Sequence, residues 1–358
     1  MQSSPSQLGE QVVARCRALG FSDAGVTVAE PIDPDHAEAY RAWIAEGRHA
    51  EMAYLARNVE VRLDPRVLLP GARSIIMVAD QYHARETASS GTPSVSERDD
   101  SASAHQAARS TTPAVPGGSP RIAARVARYA RGDDYHDVMK KRLHAMCDAL
   151  RSEHPGHGFR AFVDTAPVME REHALRAGLG WIGKHTLLIN PRKGSWLFLG
   201  GVLTTLELEP PANQRRHDDH CGTCTRCIDA CPTRAITPHS VDARRCISSL
   251  TIEQRSPIDP ALQPQIGEWL YGCDVCQEVC PHNSPRPPGV DVGESNPAYA
   301  QRFESLDPLE ILSWTPEDRA RVLKGSAMKR ATLEMLRRNA RIVLANAGAE
   351  PPQPPGPA

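Results

Sequence analysis

The feature that most restricts this chain is the placing of its cysteines, ten in 358 residues. Cys221, Cys224, Cys227 and Cys231 stand in "CGTCTRCIDACP", at the spacing of a bacterial ferredoxin ligand run, where the fourth cysteine serves the other cluster. A second run, Cys273, Cys276 and Cys280 before Pro281, is one short, and Cys246 between the runs can supply the missing ligand. The crossing then assigns Cys221, Cys224, Cys227 and Cys280 to one 4Fe–4S cluster, and Cys231, Cys246, Cys273 and Cys276 to a second. Structural zinc sites use separated pairs that close a set of four, and disulfide frameworks belong to secreted chains. The nested spacing with both Cys-Pro endings therefore predicts a dicluster, ferredoxin-like domain over about 212–288.

Such a domain moves electrons without choosing a substrate, so the chemistry must lie elsewhere. Net charge is −1 and 40% of residues are hydrophobic, so only a local basic patch could argue for nucleic acid. The N-terminus has no apolar h-region or twin arginine, and no run approaches the ~18 apolar residues of a membrane span. A cytoplasmic protein is expected.

Upstream, helix and strand alternate. Leu8, Val12, Val13, Cys16 and Leu19 share one helical face, and Met139, Leu143, Met146, Cys147 and Leu150 share another. "SIIMVAD" (74–80), "FRAFVD" (159–164) and "SWLFLGGVLTTLEL" (195–208) read as strands, and "PVMEREHALRAG" (167–178) as a helix. This predicts an α/β domain over 1–85 and 121–211. Between its halves, 25 of the 35 residues from 86 to 120 are Ser, Thr, Ala, Pro or Gly, too little apolar surface to offset ordering entropy, so a disordered insertion is expected. A helical tail is expected over 289–348 and a frayed end over 349–358. Cys16 and Cys147 lie on apolar stripes and read as core.

Two motifs mislead. "GLGWIG" (178–183) matches the dinucleotide fingerprint by letter, but that loop must follow a strand and open a helix. Here it follows a predicted helix and leads into "KHTLLIN", which reads as a strand, so Gly178 is better explained as a C-cap. "DYH" (134–136) resembles a cobalt-ligating Asp-x-His-x-x-Gly motif, but Met139 stands at its glycine, leaving His136 as a structural residue at a helix start.

"VDTAPVMERE" (163–172) leaves a strand and enters a helix. Asp164 or Thr165 could simply cap that helix. Alternatively Asp164 faces a cofactor crevice, where burial and a reduced, electron-rich neighbour would raise its pKa and make it a proton donor. The tail carries Arg319, Arg321, Lys324, Lys329, Arg330, Arg337, Arg338 and Arg341 against Glu334. These form either a solvated face on packed helices or a phosphate-binding surface.

Together these residues resemble the epoxyqueuosine reductases. The resemblance runs through "MAYLARNVEVRLDPRVLLPGARSIIMVA", "RYARGDDYHDVMKKRL", "VDTAPVMEREHALRAGLGWIGKHTLLI", "GSWLFLGGVLTT", the eight cysteines and "GSAMKRATLEMLRRNARIVLANAG". It implies a cobalamin held in the α/β domain without a histidine ligand, two 4Fe–4S clusters, and a short HEAT-like tail. It further implies reduction of epoxyqueuosine to queuosine at position 34 of tRNAs with a GUN anticodon, as the last step of queuosine formation. Electrons would pass from a reductant such as flavodoxin or ferredoxin through both clusters to cobalt, in a monomer. By motif position Asp164 is the proton donor, and Arg57, Asp164, Ser248, Asp274 and Val275 approach the corrinoid. The tail residues Lys329, Arg330, Arg337 and Arg338 would meet the tRNA. His185 stands where the family usually has Asn, which affects a local hydrogen bond.

The rival enzyme is a reductive dehalogenase, which shares the corrinoid and two clusters but usually carries a twin-arginine signal. A ferredoxin-like carrier would not need the α/β domain. A tRNA-binding scaffold with structural clusters would lack redox activity.

Overall fold

The computed structural model describes residues 4–84, 122–287 and 292–349. The expected 86–120 insertion and, apart from Ala349, the expected frayed end lie outside the described residues.

The first helix, Pro5–Ala18, begins with a reciprocal cap, in which Ser4 Oγ accepts from Gln7 N–H and Gln7 Oε1 accepts from Ser4 N–H. Its stripe of Val12, Val13 and Cys16 packs on a four-stranded sheet, together with Met139, Leu143, Met146, Cys147 and Leu150 of the Tyr135–Glu153 helix. The sheet order is Asp23–Val28, Ser74–Gln81, Leu197–Thr204, Phe159–Val163, and every pairing is antiparallel. The alternation of helix and strand is present, yet no parallel crossover joins neighbouring strands of this sheet. Along Ser74–Gln81, Ile76 and Val78 meet the two long helices, while Ile75, Met77 and Ala79 meet the opposite core beneath the Glu170–Arg176 helix. Both faces are covered, so the strand reads as an unbroken apolar run.

Gly200 and Gly201 let the layers close up. A Cβ on Gly201 would stand 2.7 Å from the Phe162 ring, and one on Gly200 would stand 3.2 Å from Met139 Cε. Leu143 is fully buried in this layer. Leu143→Ala is expected to cost about 2–5 kcal/mol of stability, read as a lower denaturant midpoint with unchanged iron content.

A second, small sheet joins distant parts of the chain. Ala124–Val126 pairs in parallel with Trp269–Tyr271 and antiparallel with Ser305–Leu306. Its core continues into the tail through Ile311, Trp314, Met328, Leu333, Leu336, Ala340 and Val343. The tail consists of Pro308–Ser313, Pro316–Val322, a 3-10 turn Ala327–Arg330 and the Leu333–Asn346 helix. No helix among the described residues is long and apolar enough to cross a membrane.

Candidate functional site

The cysteine runs fold as two short helices, Arg226–Asp229 and Val275–Glu278, packed on each other. Cys221, Cys224, Cys227 and Cys280 line one common space with Lys184, His185, His220 and His282. This is the first expected ligand set, including the member from the second run. Burial, then the charges of Cys221, Cys227 and Cys224, push the Cys280 thiol up to about 11. The thiols expected to form the second set act on one another electrostatically. Burial and then Cys246 and Cys231, among its neighbours, raise Cys273, while burial, Cys273 and Cys246 raise Cys276. Mutually repelling thiols of this kind are relieved by bound cationic metal. Among the described residues no three His, Cys, Asp or Glu side chains converge on a single ion.

Orphaned buried polar atoms surround the first cradle. Trp181 Nε1 lies against the Cys221 thiol and has no conventional hydrogen-bond partner. Lys184 Nζ donates to Gly222 O at 2.6 Å and Cys224 O at 3.0 Å, holding a positive charge beside the ligand loop. His185 is buried, and burial and Arg171 depress it to about 4, so it is neutral. Its Nδ1 accepts from Leu187 N–H at 3.2 Å, so in this chain its ring holds its own loop.

Gly178 has φ +71° and ends the Glu170–Arg176 helix, with Gly178 N–H bonding Leu175 O and Leu179 N–H bonding Ala174 O. "GLGWIG" therefore closes a helix and opens none, as the sequence indicates. "KHTLLIN" keeps only Leu188–Ile189 as strand. Cys16 and Cys147 are core thiols, which burial pushes up to about 12 and about 11.

Asp164 sits where the Phe159–Val163 strand breaks off. Its φ is +45°, and Thr165 N–H turns back onto Val163 O. A residue held at positive φ stores strain, which Asp tolerates better than most. The expected helix cap is absent: the helix begins only at Glu170, and Asp164 turns outward with its side chain 61% exposed. Tyr135 OH donates to Asp164 Oδ2 at 2.9 Å, and His136 Nε2 meets the same oxygen at 3.1 Å. Among the protein's own groups, burial alone does not set this carboxyl. Desolvation does push it up, but hydrogen bonds from His136 and Tyr135 and the charges of His136 and Arg171 outweigh it, so Asp164 lies below its ordinary value.

His136 is the residue that sequence reasoning undervalued. It does sit at a helix start, with Asp134 as N-cap, but its other nitrogen faces Asp164. Asp134 Oδ1 binds His136 Nδ1 at 2.7 Å, and Lys329 Nζ lies 2.8 Å from Asp134 Oδ2. Burial would lower His136, but its bonds to Asp134 and Asp164 prevail and raise it to about 9. The ring is therefore charged at neutral pH. Its contacts contribute stability fully present below its ordinary 6.5 and lost as pH rises through about 9. Thermal melts should lose stability between pH 7 and 9.5, by less in His136→Gln. The signal was "DYH" itself, set aside because its metal motif fails. A second carboxyl, Glu170, is pushed up to about 8 by burial and by Asp164, and its Oε1 is buried without a partner.

The other predicted contacts fall on separate elements. Arg57 is exposed at the end of Ala53–Arg57, and Ser248 is half-buried in Ile247–Ile252. Asp274 is buried, and its Oδ2 accepts from Arg128 N–H at 2.8 Å. Val275 packs with Cys273 and Tyr129 on one core. Tyr129 stands 6.3 Å from Tyr135, so an aromatic wall runs from the Cys273 loop to Asp164.

The tail cations are mostly engaged internally. Lys329 pairs with Asp134, and Arg330 makes a two-pronged bond to Glu253. Arg337 donates to Trp314 O, and Arg338 donates to the carbonyls of Leu250, Gln254 and Ser256. The solvated-face and phosphate-surface readings both need revision, because Arg337 and Arg338 hold the helix in place. Only Lys329 and Arg330 of the four keep about half of their side chains exposed.

A family model described as 4Fe-4S double cluster binding domain matches residues 220–283, and one described as Epoxyqueuosine reductase QueG, DUF1730 matches residues 62–165. An epoxyqueuosine reductase of Pseudomonas aeruginosa is 35% identical over 96% of this chain and 86% of its own length. One from Gloeobacter violaceus is 39% identical over 94% and 96%. Among solved structures, an epoxyqueuosine reductase crystallised with an epoxyqueuosine-modified tRNA-Tyr stem loop is similar at TM-score 0.77 and 27% identity, over 96% of this chain and 82% of that one. Identity of this level over nearly the whole length displaces the dehalogenase reading. The chain belongs to the epoxyqueuosine reductase family.

Proposed function

We propose that the protein reduces epoxyqueuosine to queuosine at position 34 of tRNA, the last step of queuosine formation. The observation that carries this is Asp164. It is an outward-facing carboxyl on a strained turn, and an aromatic wall connects it to the Cys273 ligand loop. The solved relative bound to an epoxyqueuosine-modified stem loop supports the substrate.

Removing an epoxide oxygen to leave an alkene takes two electrons and two protons and releases water. The two clusters supply single electrons, and cobalamin supplies a metal centre that can act on the strained ring. The residues carried over by resemblance would approach the corrinoid from separate elements. Arg57, Ser248 and Val275 are not fully buried, and Asp274 would contribute main chain because its carboxylate is engaged. His136 has both ring nitrogens engaged by carboxylates, so it would not be the one to ligate the cobalt. Asp164 protonates the leaving oxygen, as general acids positioned at a developing charge do. Tyr135 and His136 fix its direction.

Lys329 and Arg330, on a tail read as a short HEAT-like element, meet the phosphates of tRNAs with a GUN anticodon. Arg330→Ala should reduce the slope of log affinity against log salt by about 0.9. A flavodoxin or ferredoxin serves as reductant, and the enzyme works as a monomer in the cytoplasm. The test is anaerobic reconstitution with iron, sulfide and cobalamin, then nucleoside analysis of epoxyqueuosine-containing tRNA. Queuosine should appear. Its absence, with reduction of a halogenated aromatic instead, would overturn the proposal.

A further inference from the structure

The reaction consumes two protons, and Asp164 alone is poorly placed to hold even one. Its carboxylate is exposed, accepts two hydrogen bonds and stays ionised near neutral pH. The proton of this cleft resides next door. His136 is clamped from both sides, by Asp134 on Nδ1 and Asp164 on Nε2, and its ring stacks on Tyr135 with centroids 4.0 Å apart. Tyr135 is in turn stacked on Phe198 at 4.2 Å, so the imidazole cannot swing away without unstacking.

We infer that His136 is the proton store of the site, holding a proton on Nε2 and passing it to Asp164 for each protonation of the departing oxygen. The inference rests on Asp164 being the donor. In each transfer the His136 Nε2–H bond breaks and an Asp164 Oδ2–H bond forms, then that bond breaks as the proton reaches the epoxide-derived oxygen. Two such cycles release the oxygen as water, with two electrons arriving from the external one-electron carrier. Between cycles the imidazole, 22% exposed, regains its proton from solvent.

The neighbouring charges hold the proton on His136 until the departing oxygen, far more basic than either group, draws it through Asp164. Asp134 is buried, holds the ring tautomer and is itself held ionised by His136 and Lys329, so it does not take the proton. Lys329 comes from the tail, Asp164 from the strand end, and Glu170 and Arg171 act on Asp164 from the helix beyond it. His136 thus acts through Asp164 and is a positioning residue that also carries charge.

The test uses the full chain with clusters, cobalamin and tRNA substrate. Wild-type kcat should be level to about pH 8.5 and fall tenfold per pH unit above about 9, where the His136 store empties. His136→Gln keeps a polar side chain but cannot store a proton. It should lower kcat about 100-fold at pH 7 and lose that alkaline limb, with tRNA KM, iron and cobalamin contents unchanged. Independently of turnover, the ¹⁵N-imidazole signal of His136, assigned by its absence in His136→Gln, should titrate near pH 9 in wild type and lower in Asp134→Asn. Titration of that signal near 6.5, or His136→Gln turnover within twofold of wild type with an unchanged profile, would overturn the inference. If Asp164→Asn alone were inactive in that case, the proposed function would stand without the store. If wild type formed no queuosine, the proposed function itself would fall.

Discussion

Asp164→Asn is expected to lose turnover by about 100- to 10,000-fold while retaining iron, sulfide and cobalamin. The amide matches the carboxyl in shape and can stay on the same positive-φ turn, so the fold has no reason to change. What it cannot do is take a proton from His136 and give it to a leaving oxygen. The substitution also removes the anion that helps to raise His136, so the imidazole should titrate nearer its ordinary value. Loss of turnover together with that shift would separate a chemical defect from a folding defect. Near-normal queuosine formation would remove Asp164 from the reaction and turn attention to Glu170, the other carboxyl of the cleft.

Cys280→Ser should have the second large effect. By sequence Cys280 ends the second run, yet in space it lines the cradle of Cys221, Cys224 and Cys227. The variant is therefore expected to fall from about eight iron atoms to about four, with the lost cluster belonging to the first run. Cys231→Ser should lose the other cluster. Mössbauer spectra of the two variants would display complementary halves of the wild-type signal, and both variants should fail to form queuosine. If Cys280→Ser instead depleted the Cys273 cluster, the crossing would be wrong.

Local pattern carried much of the architecture into the sequence. The helical stripes at Val12 to Cys16 and Met139 to Leu150 are buried as their spacing requires, because period alone decides which face meets the sheet. Pairing direction was not legible, since an apolar run covered on both faces looks the same in parallel and antiparallel sheets. The parallel contact of Ala124–Val126 with Trp269–Tyr271 spans more than a hundred residues and has no local signature. The double-cluster domain was legible because ligand spacing is stereochemical, and Cys280 does line one space with Cys221, Cys224 and Cys227. The state of Asp164 was not, since its partners Tyr135 and His136 lie almost thirty residues earlier. Nor could the count of tail cations say that Arg338 would end on three carbonyls.

Those carbonyls have a consequence for how metal content is reported outside the cluster domain. Arg338 and Asn339 dock the last helix on the backbone of Leu250, Thr251, Gln254, Ser256 and Leu270, all on the chain between Cys246 and Cys273. In the proposed second quartet both of those cysteines hold one cluster, whose iron would staple the two ends of the platform on which the helix rests. Stripping the iron should loosen that platform first and release the Leu333–Asn346 helix to proteases before the main sheet opens. A C-terminal helix that contributes no cluster ligand would then act as an external gauge of whether the inner cluster is loaded.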